Sequence, residues 1–241
     1  SANSINIGRL VPQIVYYVYA YVKLLNEGKL SPGEILDVCV PTGNFGNILA
    51  ASFAKELGLP LGKLICASNT NKVLFDFFET GVYDKNREFI LTTSPSMDIL
   101  VSSNLERLLY LSAGCDAAKT RELMEALKTS GKYAVTEEMR QATRDFAGGY
   151  ATQEEVAARI RSLYEKTGYV IDTHTAVASK VYEDYRKKSG DKTPTVIAST
   201  ASPFKFSRAV MEAIAGDVSK LDDFAVLELL RDKAGVPFPP A

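Results

Sequence analysis

The chain has no tryptophan, a single histidine, only three cysteines and almost no excess of either charge, at −1 over 241 residues. Each scarcity closes off a class of function. Cys39, Cys66 and Cys115 are odd in number and none sits in a C-x-x-C pair, so neither a disulfide framework nor a zinc site is expected, and the thiols read as reduced and cytoplasmic. His174 has no triad partner near it in sequence, and reads as the wall of a site rather than its base. Acidic and basic residues are interspersed, which leaves no basic face for nucleic acid or an anionic membrane. No apolar run reaches the length of a membrane span and no signal peptide is visible. A starting methionine is missing too: the chain opens on Ser1-Ala2-Asn3-Ser4 and reads as a piece of something longer.

What is present centres on Thr42-Gly43-Asn44-Phe45-Gly46-Asn47. Ile35–Val40 before it is a β-branched run typical of a buried strand, and Ile48–Ala54 after it opens a helix. A strand, a glycine-rich turn and a helix N-terminus make an anion site. The first amides of the helix have no partner within it, and the macrodipole adds partial positive charge there. The loop is neither G-x-x-x-x-G-K-[ST] nor G-x-G-x-x-G, and so short a cradle suits one phosphate better than three. Taken alone, these residues also fit an ordinary strand-to-helix turn.

Along the chain, Ile7–Leu25 reads as one buried helix with Pro12 near its first turn. Helices to Leu57 and over Lys72–Glu79, with a strand at Leu64–Ala67 between them, predict a parallel sheet covered by helices. Residues 103–168 carry dense charge and helical spacing. They read as a helical insertion, with Gly148-Gly149 separating helices at Glu137–Phe146 and Gln153–Thr167. The alternation resumes with a helix at Thr173–Lys188, a strand at Thr195–Ala198, a helix from Pro203 to Ala215, a last helix at Asp222–Lys233 and an extended tail over Val236–Pro240. The expectation is an α/β fold, part of an open, mostly parallel sheet flanked by helices, divided as 1–102, 103–168 and 169–241.

Five stretches then carry a resemblance. Ser1–Arg9, Pro41–Asn47, Ser94–Ile99, Asp172–Ala178 and Thr200–Phe206 are similar, in order, to the motifs of threonine synthase, a fold-type-II enzyme using pyridoxal 5′-phosphate. The resemblance implies that Gly43, Asn44, Phe45 and Gly46 hold the cofactor phosphate, mostly through backbone amides, and that the Thr200 hydroxyl meets the pyridine nitrogen. It implies that Ser4, Arg9 and Asn47 hold the phosphate of the substrate, O-phospho-L-homoserine. Their chemistry suits that role, since arginine offers a permanently charged fork and the other two offer uncharged hydrogen-bond donors. Read from the residues alone, Arg9 also fits a surface ion pair, Ser4 a helix cap with Asn3 or Asn6, and Thr200 a cap for the helix near Pro203. The family's Schiff-base lysine lies on a segment matched nowhere here; Lys205 does not correspond to it. So no catalytic residue is expected in this chain. The resemblance implies a partner, the missing N-terminal part of the same enzyme, and bared apolar surface that would favour self-association. A phospho-lyase giving a 2-keto acid and a non-catalytic phosphate-binding α/β module are the other readings.

Overall fold

A computed structural model describes residues 3–238 of the chain. Ser1, Ala2 and the end of the expected tail lie outside those residues. In chain order the elements are α1 (Ile7–Leu10), α2 (Ile14–Asn26), β1 (Leu36–Pro41), α3 (Gly46–Glu56), β2 (Leu61–Ser68), α4 (Val73–Thr80), β3 (Val82–Asp84), α5 (Leu105–Ser112), α6 (Ala117–Thr129), β4 (Lys132–Ala134), α7 (Glu137–Ala142), β5 (Phe146–Tyr150), α8 (Gln153–Thr167), α9 (Thr173–Ser189), β6 (Thr195–Ile197), α10 (Ser207–Ala215) and α11 (Asp223–Ala234). None of the described helices is long and apolar enough to cross a membrane.

The main sheet is parallel throughout, in the order β5-β2-β1-β6. Its two central strands divide their side chains between two cores with the two-residue period of a strand. Val38 and Val40 of β1 join Leu64 and Cys66 of β2 in a core with α2, α3, α4, α5 and α6. Cys39, Ile65 and Ala67 point the other way, into a core with α8, α9, α10 and α11. Each such valine, leucine or isoleucine side chain, fully removed from water, contributes about 1.5–3 kcal/mol. Both faces are therefore covered, as the expected α/β class requires.

Two expectations are corrected. Pro12 does not sit in the first turn of one long helix. It lies in a 3-10 turn, Val11–Gln13, that joins α1 to α2, because proline supplies no backbone donor to carry an α-helix through. Nor is the stretch 103–168 helical throughout. Gly148 and Gly149 lie inside β5, whose register runs Leu64↔Phe146 to Ser68↔Tyr150, and β4 pairs antiparallel with β3. The glycines are a packing device: a Cβ on Gly149 would stand 2.4 Å from Cγ1 of Val181, and one on Gly148 would stand 3.2 Å from Cα of Phe75. Without side chains there, α9 and α4 close directly onto the strand.

The chain passes from β1 to β2, outward to β5, and only then returns to lay β6 on the other side of β1. The segments leaving β1 and β6 therefore diverge at a topological switch point. In an open parallel sheet this is where a crevice forms beyond the carboxyl ends of the strands.

Candidate functional site

Thr42 begins the turn by tying itself down: its amide donates to the Ala67 carbonyl at 2.8 Å and its hydroxyl to the Val40 carbonyl at 2.7 Å. Gly43 follows, so close to the 94–98 segment that a Cβ would stand 2.5 Å from the Ser96 carbonyl oxygen. Phe45 then takes a left-handed conformation, φ 66° and ψ 0°. For a bulky residue that costs about 1–3 kcal/mol. The ring offsets it by burial, 5.6 Å from the Phe146 ring and 6.0 Å from that of Phe78, worth about 1.5–3 kcal/mol plus about 0.5–1.5 for each aromatic pair. Packing wins, and the Phe45 ring is held in the core while the backbone of the turn, with the half-buried Asn44 side chain, stays at the loop surface.

That backbone is polarised. The Gly43 carbonyl accepts from the Ser102 hydroxyl at 2.8 Å, and the Asn44 carbonyl accepts from both the amide and Nδ2 of Asn104, at 3.1 and 2.8 Å. The first backbone bond into α3 is from Leu49 N–H to the Phe45 carbonyl, and no described side chain caps the helix. The carbonyls are satisfied from behind while the amides of Gly46, Asn47 and Ile48 have no acceptor within the helix.

A cleft of about 410 Å³ opens over this turn, and it collects every residue expected at the site: Ser4, Arg9, Gly43, Asn44, Phe45, Gly46, Asn47 and Thr200. Segments from positions 4–9, 41–48 and 200–205 meet there, far apart in sequence. The Tyr17 hydroxyl donates to Oδ1 of Asn47. Burial holds Tyr17 above its ordinary pKa, so it remains a donor, and the Asn47 NH₂ is left as the group that can meet an anion. The alternative cap roles are taken by others. Asn6 Oδ1 accepts from Gly8 N–H at 2.8 Å and caps α1. Ser202 Oγ accepts from Phe204 N–H at 3.3 Å and begins the 3-10 turn Pro203–Phe206. That turn occupies the start of the helix expected from Pro203. Thr200 is no cap.

His174 lines the cleft as well. Its Nε2 accepts from Ser96 N–H at 3.3 Å, its Nδ1 lies 3.2 Å from Asp172 Oδ1, and its ring packs 4.7 Å from that of Phe206. Both nitrogens are committed, which suits a wall. Burial by itself would raise the Asp172 carboxyl, but hydrogen bonds from His174 and Thr175 outweigh it and hold the group below the ordinary range. The thiols take no part: Cys39 and Cys66 are buried, and burial pushes the Cys66 group up to about 12. A larger groove, about 670 Å³ between α3, α5 and α6, contains none of the expected phosphate-binding residues. Sequence reasoning gave no role to Ser96 or Lys205 on the cleft wall, nor to Ser102 and Asn104 behind the turn; the Ser94–Ile99 and Thr200–Phe206 stretches were the signals that pointed to the first two.

Comparison with known proteins agrees on one family. A family model described as "Threonine synthase, C-terminal" matches residues 175–233. A threonine synthase from Saccharomyces cerevisiae is 40% identical over 232 residues, covering 90% of this chain and 44% of that protein. About nine tenths of the chain is similar to threonine synthases. A "Threonine synthase-like 1" protein from Pongo abelii is 47% identical over 216 residues, 89% of this chain and 29% of that protein. The crystal structure of a threonine synthase with pyridoxal phosphate bound, from Brucella melitensis, superposes with a TM-score of 0.82 at 38% identity, over 98% of this chain and 53% of that one. The fold is thus that of the fold-type-II pyridoxal-phosphate enzymes. The chain spans less than half the length of these curated relatives.

Proposed function

We propose that this chain is the later portion of a cytoplasmic pyridoxal-phosphate enzyme that converts O-phospho-L-homoserine and water into L-threonine and phosphate. The observation that carries the reading is the meeting, in one switch-point cleft, of a donor-rich glycine turn with Ser4, Arg9 and Asn47. The cradle fits a phosphoryl group: it has amides to spare, and at Gly43 it has no room for a side chain. The backbone of Gly43–Gly46 would hold the cofactor phosphate, and the Thr200 hydroxyl would serve the ring nitrogen without contributing charge. When bound, the cofactor supplies the electron sink at the substrate's reacting carbons. Arg9 brings a permanent positive charge to the substrate phosphate. As that group departs and gains charge, Arg9 and the Asn47 and Ser4 donors hold it where it leaves. Binding and orientation are this chain's share.

The remaining share, including the lysine that bonds the cofactor, belongs to the upstream part of the enzyme, and this portion is inactive alone. Its docking place is the surface bared beside the cleft. Among the described residues β6 pairs with β1 alone, on one side. A groove of about 580 Å³ between α2 and β6 shares Gln13, Asn47 and Thr200 with the cleft. Val11, Val15, Tyr16, Val18, Tyr19 and Val22 are exposed along the Val11–Gln13 turn and α2.

Product analysis of the full-length protein supplied with O-phospho-L-homoserine tests the reading: threonine is expected. Release of 2-oxobutyrate would favour the phospho-lyase reading. Neither product, with no cofactor bound, would favour a phosphate-binding module. For this chain alone, addition of pyridoxal phosphate should yield no imine absorbance traceable to one lysine.

A further inference from the structure

Behind the cleft, a single fully buried side chain touches both segments assigned to phosphate. Asn104 Nδ2 donates to the Asn44 carbonyl at 2.8 Å and to the Ser4 carbonyl at 2.9 Å. Its backbone amide makes a further bond to Asn44 O at 3.1 Å. Its Oδ1 is in turn fixed by Arg107 Nη1 at 2.8 Å, and Nη2 of the same guanidinium reaches the Ile5 carbonyl at 3.0 Å. A primary amide has two N–H donors and one strong acceptor. Here one donor goes to the glycine turn, the other to the Ser4 segment, and the acceptor to the arginine that braces them.

We infer that Asn104 is a positioning residue that locks the cofactor-phosphate turn and the substrate-phosphate segment to each other, so that the spacing of the two anion sites is set from the back by one amide. The inference rests on the functional reading above. Its nearest counterparts do not replace it: aspartate would turn an acceptor toward two carbonyl oxygens, leucine would leave both carbonyls short of a donor, and glutamine is one methylene too long. The same bonds help polarise the turn. While Asn104 engages the Asn44 carbonyl, that oxygen is held away from an incoming anion.

The test uses this chain, ¹⁵N-labelled and titrated with inorganic phosphate while the amides of Ser4–Arg9 and of Gly43–Asn47 are followed by NMR. In the native chain phosphate should shift both groups. In Asn104→Asp both apparent affinities should fall about tenfold together, as expected for losing a buried bond at each segment, while the amides of α8 to α11 stay at their native positions. Arg107→Gln, which buries no new charge, serves if that variant does not fold; it should weaken the response of Ser4–Arg9 more than that of Gly43–Asn47. Native phosphate affinity at either group in Asn104→Asp, or in Arg107→Gln at Ser4–Arg9, would overturn the inference alone. So would a variant that only melts earlier. A native chain whose Gly43–Asn47 amides ignore phosphate would overturn the inference together with the reading beneath it.

Discussion

The two ends of β1 both bury polar groups, but with opposite balance. At the Pro41 end the carbonyls of Gly43 and Asn44 are already satisfied by Ser102 and Asn104, and the amides opening α3 are uncapped, so donors are in surplus. At the Leu36 end Asp37 is buried with Oδ1 accepting from Lys63 N–H at 2.6 Å, while Oδ2 has no partner among the described residues. Acceptors are in surplus there, and burial, with Asp191 adding to it, pushes the Asp37 carboxyl up. One strand therefore separates a donor-rich end from an acceptor-rich one. Polar burial alone does not mark a site. The sign of the imbalance does.

The largest effect expected from breaking that contrast is at Gly43. Gly43→Ala would drive a Cβ to 2.5 Å from a backbone oxygen that cannot swing away, costing about 1–3 kcal/mol and abolishing phosphate binding at the turn. Gly46→Ala is the matched control. Its Cβ would meet the Asn104 side chain in ordinary contact, Nδ2 at 3.4 Å and Cγ at 4.0 Å, within a helix where alanine is favoured over glycine by up to about 1 kcal/mol. Denaturant melts and a phosphate titration of the pair check this.

Next come the two buried carboxyls. Asp172 is held below its ordinary value, so its contribution is fully present above about pH 4 and is lost as pH falls through its folded value. Asp172→Asn should cost about 1–3 kcal/mol at pH 7, with the deficit shrinking in acid. Asp37 is raised, so its ionised form burdens the fold at neutral pH and is relieved as pH falls. Asp37→Asn should raise the midpoint at pH 7 and lose that advantage in acid. Melting both variants from pH 3 to 7 reads the two signs directly.

A smaller pair sharpens the cleft's rim. Ser202→Ala should cost about 1 kcal/mol as a lost cap, whereas Thr200→Ala should stay within about 0.5 kcal/mol because Ser202 makes that bond. Smallest in stability is Val15→Ser with Tyr19→Ser on exposed α2, within about 0.5 kcal/mol. Sedimentation should nonetheless show less self-association than in the parent chain; an unchanged profile would remove α2 from the proposed docking face.

The elements bordering the cleft were legible because each carries its own local signal. The β-branched run of β1, the glycine turn and the apolar start of α3 declare themselves within a dozen residues. β5 was not legible, because Phe146-Ala147-Gly148-Gly149-Tyr150 owes its place to what α9 and α4 need beside it rather than to strand propensity. The same applies behind the site. Ser4 and Thr200 could be named from motifs. Asn104 could not, since its meaning lies in two carbonyls on segments 60 and 100 residues away.

The central claim is that the turn after β1 is built to grip the phosphoryl group of pyridoxal phosphate. A crystal of this chain soaked with pyridoxal 5′-phosphate tests it most directly: the phosphate should sit on the amides of Gly43–Gly46, with the ring toward Thr200. Phosphate density elsewhere on the chain, with those amides turned to other partners, would contradict it.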